Sequence, residues 1–231
     1  FKLDEYSIEQ QLSLGGFSIV YLATDSHGKR VAIKEYLPNT LALRGEGRTS
    51  PIIAEDHLPA FRYGMKCFFE EGRALAGLSH PNVVRVLNFF RANETVYMVM
   101  EYEHGRTLQE IIQKNRASVT ENFLRNVFTK MLNGLREVHS RRLLHLDLKP
   151  ANIYMRNNHV PVLIDFGAAR QTLTCDTPML KPMYTPGFAS PEHYSHRDLL
   201  GPWSDIYSVG ASMYACIAGG TPQPADSRLE K

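Results

Sequence analysis

Disulfide chemistry has little to work with in this 231-residue sequence: Cys67, Cys175 and Cys216 are its only cysteines, an odd number with no C-x-x-C pair. A disulfide-stapled scaffold and a zinc ribbon are excluded, and a reducing, cytoplasmic compartment is expected. Charge of one sign is equally scarce. The 26 Lys and Arg residues against 24 Asp and Glu leave a formal charge of +2, too weak a field to recommend nucleic acid or an anionic membrane as partner. There is no long hydrophobic run: the longest weakly polar stretch, Val209 to Gly220, is too short for a bilayer and contains Ser212. The N-terminus lacks the charged-then-apolar order of a signal peptide. It also lacks a methionine, beginning at Phe1, so the sequence reads as a piece of a longer protein. Repeats and low-complexity tracts are absent, which with 43% hydrophobic residues, 16 Gly and 13 Pro excludes disorder, collagen and coiled coil.

What is present falls into two regimes of hydrophobic period. From Tyr6 to about Tyr102 the apolar segments are short and strand-like: Ile19 to Leu22, Val31 to Ile33, Val83 to Leu87 and Val96 to Met100. The turns between them read as His27-Gly28-Lys29 and Ala92-Asn93-Glu94. One helix interrupts, from Pro59 to Leu78, ending before Pro81. After Tyr102 the period lengthens. Leu108 to Asn115 and Glu121 to Arg141 read as helices, the second with Phe123, Val127, Met131, Leu135 and Val138 on one face and Thr120 as N-cap. Strands at Asn152 to Met155 and Pro161 to Ile164 follow, and then a helix from Ser204 to Ala218. This is an α+β chain of two lobes, residues 1–101 and 102–231, joined near Glu101 to Glu103.

Three places carry chemistry. Gly15-Gly16 in the first hairpin lets a backbone approach a polyphosphate, although a glycine pair in a hairpin is ordinarily just a turn. Lys34 ends the apolar run Val31-Ala32-Ile33, where a charge wants an anion. The decisive cluster is His145-Leu146-Asp147-Leu148-Lys149-Pro150-Ala151-Asn152, followed by Asp165-Phe166-Gly167. It brings together an acid able to accept a hydroxyl proton, a base, and two oxygen ligands on separate loops of the kind Mg²⁺ takes.

With these residues in hand, the chain resembles the protein kinase family from Tyr6 to about Gly220. The glycine turn, Val31-Ala32-Ile33-Lys34, a helix acid, His145-Leu146-Asp147 with Asn152, Asp165-Phe166-Gly167, Ser190-Pro191-Glu192 and Ser204 to Gly210 stand in the family's order. The resemblance implies a bilobal protein-kinase-like fold, a small antiparallel sheet lobe with one helix followed by a mainly helical lobe, cut short after the helix containing Asp205. It also implies ATP with Mg²⁺, or Mn²⁺ in its place, as cofactors. Position by position, Lys34 is to hold the α and β phosphates and pair with Glu71, or failing that Glu70. Asp147 is to accept or orient the substrate proton, Lys149 to stabilise the transferring phosphoryl group, and Asn152 and Asp165 to hold metal. Met100 falls at the gatekeeper position. The backbone of Glu101 and Glu103 is to meet adenine, and Leu12, Gly15, Gly16, Val20, Ala32 and Tyr154 are to line the nucleotide. Leu75, Val86, His145 and Phe166 are to form the internal spine, anchored by Asp205. Lys149 two residues after Asp147, with Thr185 before Pro186, resembles the serine/threonine branch, in a bacterial style.

The departures set further expectations. Ser13 and Ser18 stand at two glycine positions of the phosphate loop, which favours weaker nucleotide handling and carries the alternative of a nucleotide-binding pseudokinase scaffold. A small-molecule phosphotransferase is disfavoured by Ser190-Pro191-Glu192 and by the Lys149 spacing. Leu146 replaces the arginine that ordinarily meets a phosphate on the activation segment, so phosphorylation of Thr172, Thr174 or Thr177 is not expected to be required. Lys34 and Glu71 are 37 positions apart, longer than usual, and Leu37 to Leu58 reads as a tolerated surface loop or else a docking element. The pair His193 and His196 lacks further ligands for a metal. Three helices ordinarily follow, so an apolar face of the lower lobe is expected to be covered by further chain or by a partner chain, beside the protein substrates themselves.

Overall fold

The computed structural model describes residues 1–166, 184–195 and 197–229. These divide into two units, Phe1–Leu78 with Arg85–Tyr102, and Ser79–Val84 with the described residues from Glu103 onward. The first unit holds strands β1 (Lys2–Leu3), β2 (Tyr6–Leu14), β3 (Ser18–Thr24), β4 (Arg30–Tyr36), β5 (Ala42–Arg44), β6 (Pro51–Ile53), β7 (Val86–Ala92) and β8 (Thr95–Glu101), with helix α1 (Leu58–Ala76) between β6 and β7. Six strands form an antiparallel sheet in the order β1-β2-β3-β4-β8-β7, and β5 pairs only with β6.

Alternation along the strands sorts side chains to two faces. Leu3, Tyr6, Ala23, Val31, Ile33, Tyr97 and Val99 form one apolar cluster. Residues one position off, Val20 opposite Lys34 and Ala32 opposite Met100, share the other face. Helix α1 covers part of that second face because its apolar residues recur at helical spacing: Phe61, Gly64, Phe68, Gly72 and Leu75 are all buried. Tyr36 packs under it, 5.2 Å from the Phe61 ring and 5.7 Å from Phe68. Gly64 is where the ring enters, since a Cβ there would lie 2.0 Å from the Tyr36 hydroxyl. The β7–β8 hairpin closes through Asn93 and Glu94, both at positive φ (49° and 58°) between the paired Ala92 and Thr95. This mirror-image turn matches the twist of the flanking strands.

Two expectations for this unit need correction. Val83 to Leu87 is not one strand. β7 begins at Val86, while Val83 pairs in parallel with Leu163 and the Val84 amide donates to the Leu163 carbonyl at 2.9 Å, so the buried valines serve the second unit. The stretch Leu37 to Leu58 is not a plain loop: β5 and β6 form a hairpin in it, a 3₁₀ turn spans Glu55–His57, and α1 starts at Leu58. Arg44 from that hairpin ion-pairs with Glu35, which is 1% exposed and also receives the Tyr21 hydroxyl at 2.8 Å and the Tyr97 hydroxyl at 2.7 Å. Burial, and then the Glu35 charge, raise the pKa values of both tyrosines.

The second unit holds β9 (Gly105–Thr107), α2 (Leu108–Lys114), α3 (Glu121–Ser140), β10 (Ile153–Arg156), β11 (Pro161–Leu163), α4 (Glu192–Ser195), α5 (Pro202–Ala218) and α6 (Ala225–Leu229). Thr107 and Glu110 form a reciprocal cap on α2, and Thr120 caps α3 by accepting from the Phe123 amide. On α3, Leu124, Val127, Phe128, Met131, Leu135 and Val138 are buried. Helix α5 starts at Pro202, two residues earlier than expected, with proline in its first turn. Trp203, Ile206, Tyr214 and Ile217 on α5 are exposed. Among the described residues no helix is long and apolar enough to cross a membrane.

Candidate active site

In the first unit, Lys34 is 5% exposed, and its ammonium group lies 5.6 Å from the centroid of the Phe68 ring on α1. Glu71, less than one turn further along the same helix, is 3% exposed, while Glu70 is only half-buried. A buried lysine and a buried glutamate in one unit are each expensive without an opposite charge, so this placement favours Glu71 over Glu70. Val20, Ala32, Lys34 and Met100 share the sheet face that α1 partly covers, and Leu12 stands exposed on β2. The glycine turn is pinned by backbone bonds: Leu37 donates to the Phe17 carbonyl and Asn39 to the Gly16 carbonyl, both at 2.9 Å. The first residues after β4 thus hold the turn, and neither Gly15 nor Gly16 takes a left-handed conformation. The Glu101 amide is already given to the Arg85 carbonyl at 2.9 Å, so it is no donor for a ligand.

In the second unit, residues 145–152 form a densely bonded loop. Lys149 Nζ donates to Asp147 Oδ2 and to Thr185 Oγ1, each at 2.7 Å, and Thr185 Oγ1 donates to Asp147 Oδ1 at 2.6 Å. Asn152 Nδ2 donates to the Asp147 carbonyl at 2.9 Å and to Oδ2 at 3.2 Å. The carboxylate is therefore gripped from three sides and fixed in orientation. A lysine has three N–H donors, and two are spent here, leaving one to meet an incoming anion. Because its amide nitrogen is committed to Asp147, Asn152 presents Oδ1 as a hard donor. With the carboxylate of Asp165, which is exposed and has φ of 62°, this is the donor chemistry Mg²⁺ takes. Tyr154 is half-buried in the central strand β10, between Thr107 and Val162 in register. The Glu103 side chain is clasped by the Arg156 guanidinium, which also donates to the Pro81 carbonyl at 2.8 Å.

Asp205, fully buried at the start of α5, receives the His145 amide at 2.9 Å, the Leu146 amide at 2.8 Å and His139 Nε2 at 2.8 Å. His145 Nε2 donates to the Ile164 carbonyl at 3.0 Å, and its ring lies 4.5 Å from that of Phe166. The histidine serves as a core residue bonded to backbone. Glu192 accepts from Ser204 Oγ. Burial raises its pKa, but the bonds from Ser204, its own backbone and Ser190 outweigh this and leave it below the usual carboxylate value.

Sequence reasoning missed the Glu35–Arg44 pair, Ser204 on Glu192, and the connections of His193. None has a short-range signature, because each joins residues far apart or pairs residue types that occur everywhere on surfaces. Gly167, Thr172, Thr174, Cys175, Thr177 and His196 lie outside the described residues, so of the two histidines only His193 is described. Among the described residues no group of three or more His, Cys, Asp or Glu is placed to hold a metal by itself.

Comparison with known proteins agrees with this geometry. A family model described as the protein kinase domain matches residues 6–231. Serine/threonine-protein kinases D and B of Synechocystis sp. are each 30% identical, covering 95% and 93% of this chain but 42% and 37% of their own. CBL-interacting serine/threonine-protein kinase 16 of Arabidopsis thaliana is 28% identical, over 95% of this chain and 45% of the relative. The chain thus spans less than half the length of these curated relatives. The solved structure titled PpkA-294 apo form is 33% identical, with a TM-score of 0.86, and covers 100% of this chain and 82% of that one. By sequence order, fold and likeness together, the chain belongs to the protein kinase family.

Proposed function

We propose that this chain is the catalytic domain of a serine/threonine protein kinase that moves the γ-phosphoryl group of ATP to protein Ser and Thr hydroxyls. The observation that carries the reading is the Asp147, Lys149, Thr185 and Asn152 constellation. It orients one carboxylate to take a hydroxyl proton and keeps a lysine donor beside it for the charge on the moving group. Lys34 binds the α and β phosphates. Asn152 and Asp165 would hold Mg²⁺, which when bound would neutralise charge on the phosphate oxygens. A loose phosphoryl-transfer transition state asks mainly for positioning, which is what a carboxylate locked by three donors supplies.

The same reading makes phosphate on the activation segment dispensable. Leu146 is an apolar residue, 1% exposed and packed with Leu200 and Leu144, so position 146 offers no cation to a phosphothreonine. The test is transfer of labelled γ-phosphate from Mg-ATP to the protein itself and to a generic basic protein, with Asp147→Asn alongside. Transfer that disappears in Asp147→Asn supports the kinase reading. ATP binding without transfer in the unaltered protein would overturn it in favour of a nucleotide-binding scaffold. Phosphate placed on small alcohols but never on protein would overturn it in favour of a small-molecule phosphotransferase.

A further inference from the structure

Residue 146 is under unusual demand. Leu146 takes φ of 62°, a left-handed conformation that a non-glycine residue holds only when its surroundings enforce it, and it immediately precedes Asp147. Its amide is held by Asp205 Oδ1 at 2.8 Å. Its carbonyl is held by a second buried group, His193, which is 0% exposed and whose Nε2 stands 3.2 Å from the Leu146 oxygen. The other ring nitrogen, Nδ1, is 2.8 Å from Ser190 Oγ.

These contacts set the tautomer. A carbonyl only accepts, so Nε2 carries the hydrogen. In the neutral ring Nδ1 then carries no hydrogen and accepts from the Ser190 hydroxyl, which it shares with the Glu192 carboxylate. The imidazole is a directed link with one end on the Ser190-Pro191-Glu192 platform and the other on the peptide unit that joins residue 146 to Asp147. The Tyr184 ring meets its edge at 5.7 Å. Its charged neighbours are Glu192 on its own short helix and Asp205 on α5, and the burial that surrounds it lowers its pKa and favours the neutral ring.

We propose that His193 is a positioning residue for phosphoryl transfer: through its Nε2–H bond to the Leu146 carbonyl it fixes the peptide that aims Asp147 and ties it to the segment carrying Ser190. In this chain position 146 has no cation to tie that segment to the catalytic loop, and the buried imidazole makes the connection instead. The inference rests on the kinase reading only for its consequence in the reaction. The link itself is a property of the fold.

The experiment compares His193→Gln, whose terminal amide reaches the place of Nε2, with His193→Asn, whose amide reaches only the place of Nδ1. His193→Leu serves as the apolar replacement, and thermal melting establishes that each variant is folded. The link predicts that Leu and Asn lower kcat at least tenfold with the KM for ATP within twofold, and that Gln recovers kcat to within threefold of the unaltered protein. Hydrogen exchange of the peptide spanning residues 143–152 is read on the same variants. It is expected to speed up in Leu and Asn, and not in Gln. Equal impairment of Gln and Asn, or kcat within threefold of normal in every folded variant, would overturn the positioning role. Were the unaltered protein inactive, the kinase reading would fall, and the exchange pattern would still decide the link. If Leu does not fold, the Gln and Asn pair carries the comparison alone.

Discussion

Arg44→Met is the most direct test of whether the stretch between β4 and α1 is a surface insertion or part of the sheet unit. Arg44 reaches Glu35, whose side chain is 2% exposed against 24% for Arg44. Removing one partner of a buried ion pair ordinarily costs about 3–5 kcal/mol, because it strands a charge in low dielectric. Here the remaining charge is not bare: Tyr21 and Tyr97 still donate to it, and the arginine end already touches solvent. The expected loss is therefore about 2–3 kcal/mol, a large part of the margin by which a domain is stable. Glu35→Gln is expected to cost a similar amount. The double variant should fall short of the sum by about 1–2 kcal/mol, since the second change removes a partner that has already lost its mate. Urea unfolding followed by far-UV circular dichroism measures all three. Trp203, the one tryptophan of the chain, lies on α5 and reports the second unit separately. A loss below about 0.5 kcal/mol for Arg44→Met at unchanged m-value would show that the hairpin only rests on the sheet, and would restore the reading of a tolerated insertion.

Other outcomes follow from single observations. Replacing Thr172, Thr174 and Thr177 together with Ala is expected to leave kinase activity within tenfold of normal; a larger drop, beyond about 1.4 kcal/mol of transition-state stabilisation, would show that the segment is switched by phosphate despite Leu146. Gly64→Ala places a methyl carbon 2.0 Å from the Tyr36 hydroxyl and is expected to destabilise by about 2 kcal/mol, with part recovered in Gly64→Ala/Tyr36→Phe; denaturant melts of the two variants check this, and no recovery would mean the clash lies elsewhere. Acidification is expected to act in two stages. The folded pKa of His193 is depressed, so the unfolded chain takes up a proton first and stability falls as pH drops below about 6.5; Glu192, also depressed, adds a further loss below about 4.5. Melting temperature against pH reads both stages, and His193→Gln should remove the upper one. Cys216, 1% exposed with burial pushing its pKa up to about 12, is expected to resist iodoacetamide at pH 8 until the protein is unfolded, as peptide mass spectrometry would show.

Legibility in the sequence divides along a physical line. Residues whose role depends on near neighbours could be read directly: Thr120 before a helical period, Asn93-Glu94 between two strands, and Asp147, Lys149 and Asn152 within six positions all announce themselves locally. Even so, the locking of Asp147 needed Thr185, 38 positions away, to complete it. Apolar runs were less informative, because hydrophobicity says that a segment is buried and not what buries it. Val83 and Val84 look like the start of a strand, yet they pair with Leu163. The least legible features were polar groups satisfied over long range. Glu35 and Arg44 look like ordinary surface charges nine positions apart, and only the alternation that turns Glu35 to the face opposite Lys34 makes the pair buried.

His193 shows why such groups matter for function. As one of two histidines three apart it suggested a weak metal motif. Its burial, its fixed tautomer and its contact with the strained residue 146 all arise from elements far apart in sequence. A buried polar group must be bonded on every side to be tolerated, so each such group is also a constraint on everything it touches. In this fold the backbone at Leu146 is held from both sides, with Asp205 on its amide and His193 on its carbonyl. The residue that follows is the acid on which proton acceptance depends, so strain, burial and chemistry converge on one peptide unit that sequence reading alone marked only by the loss of an arginine.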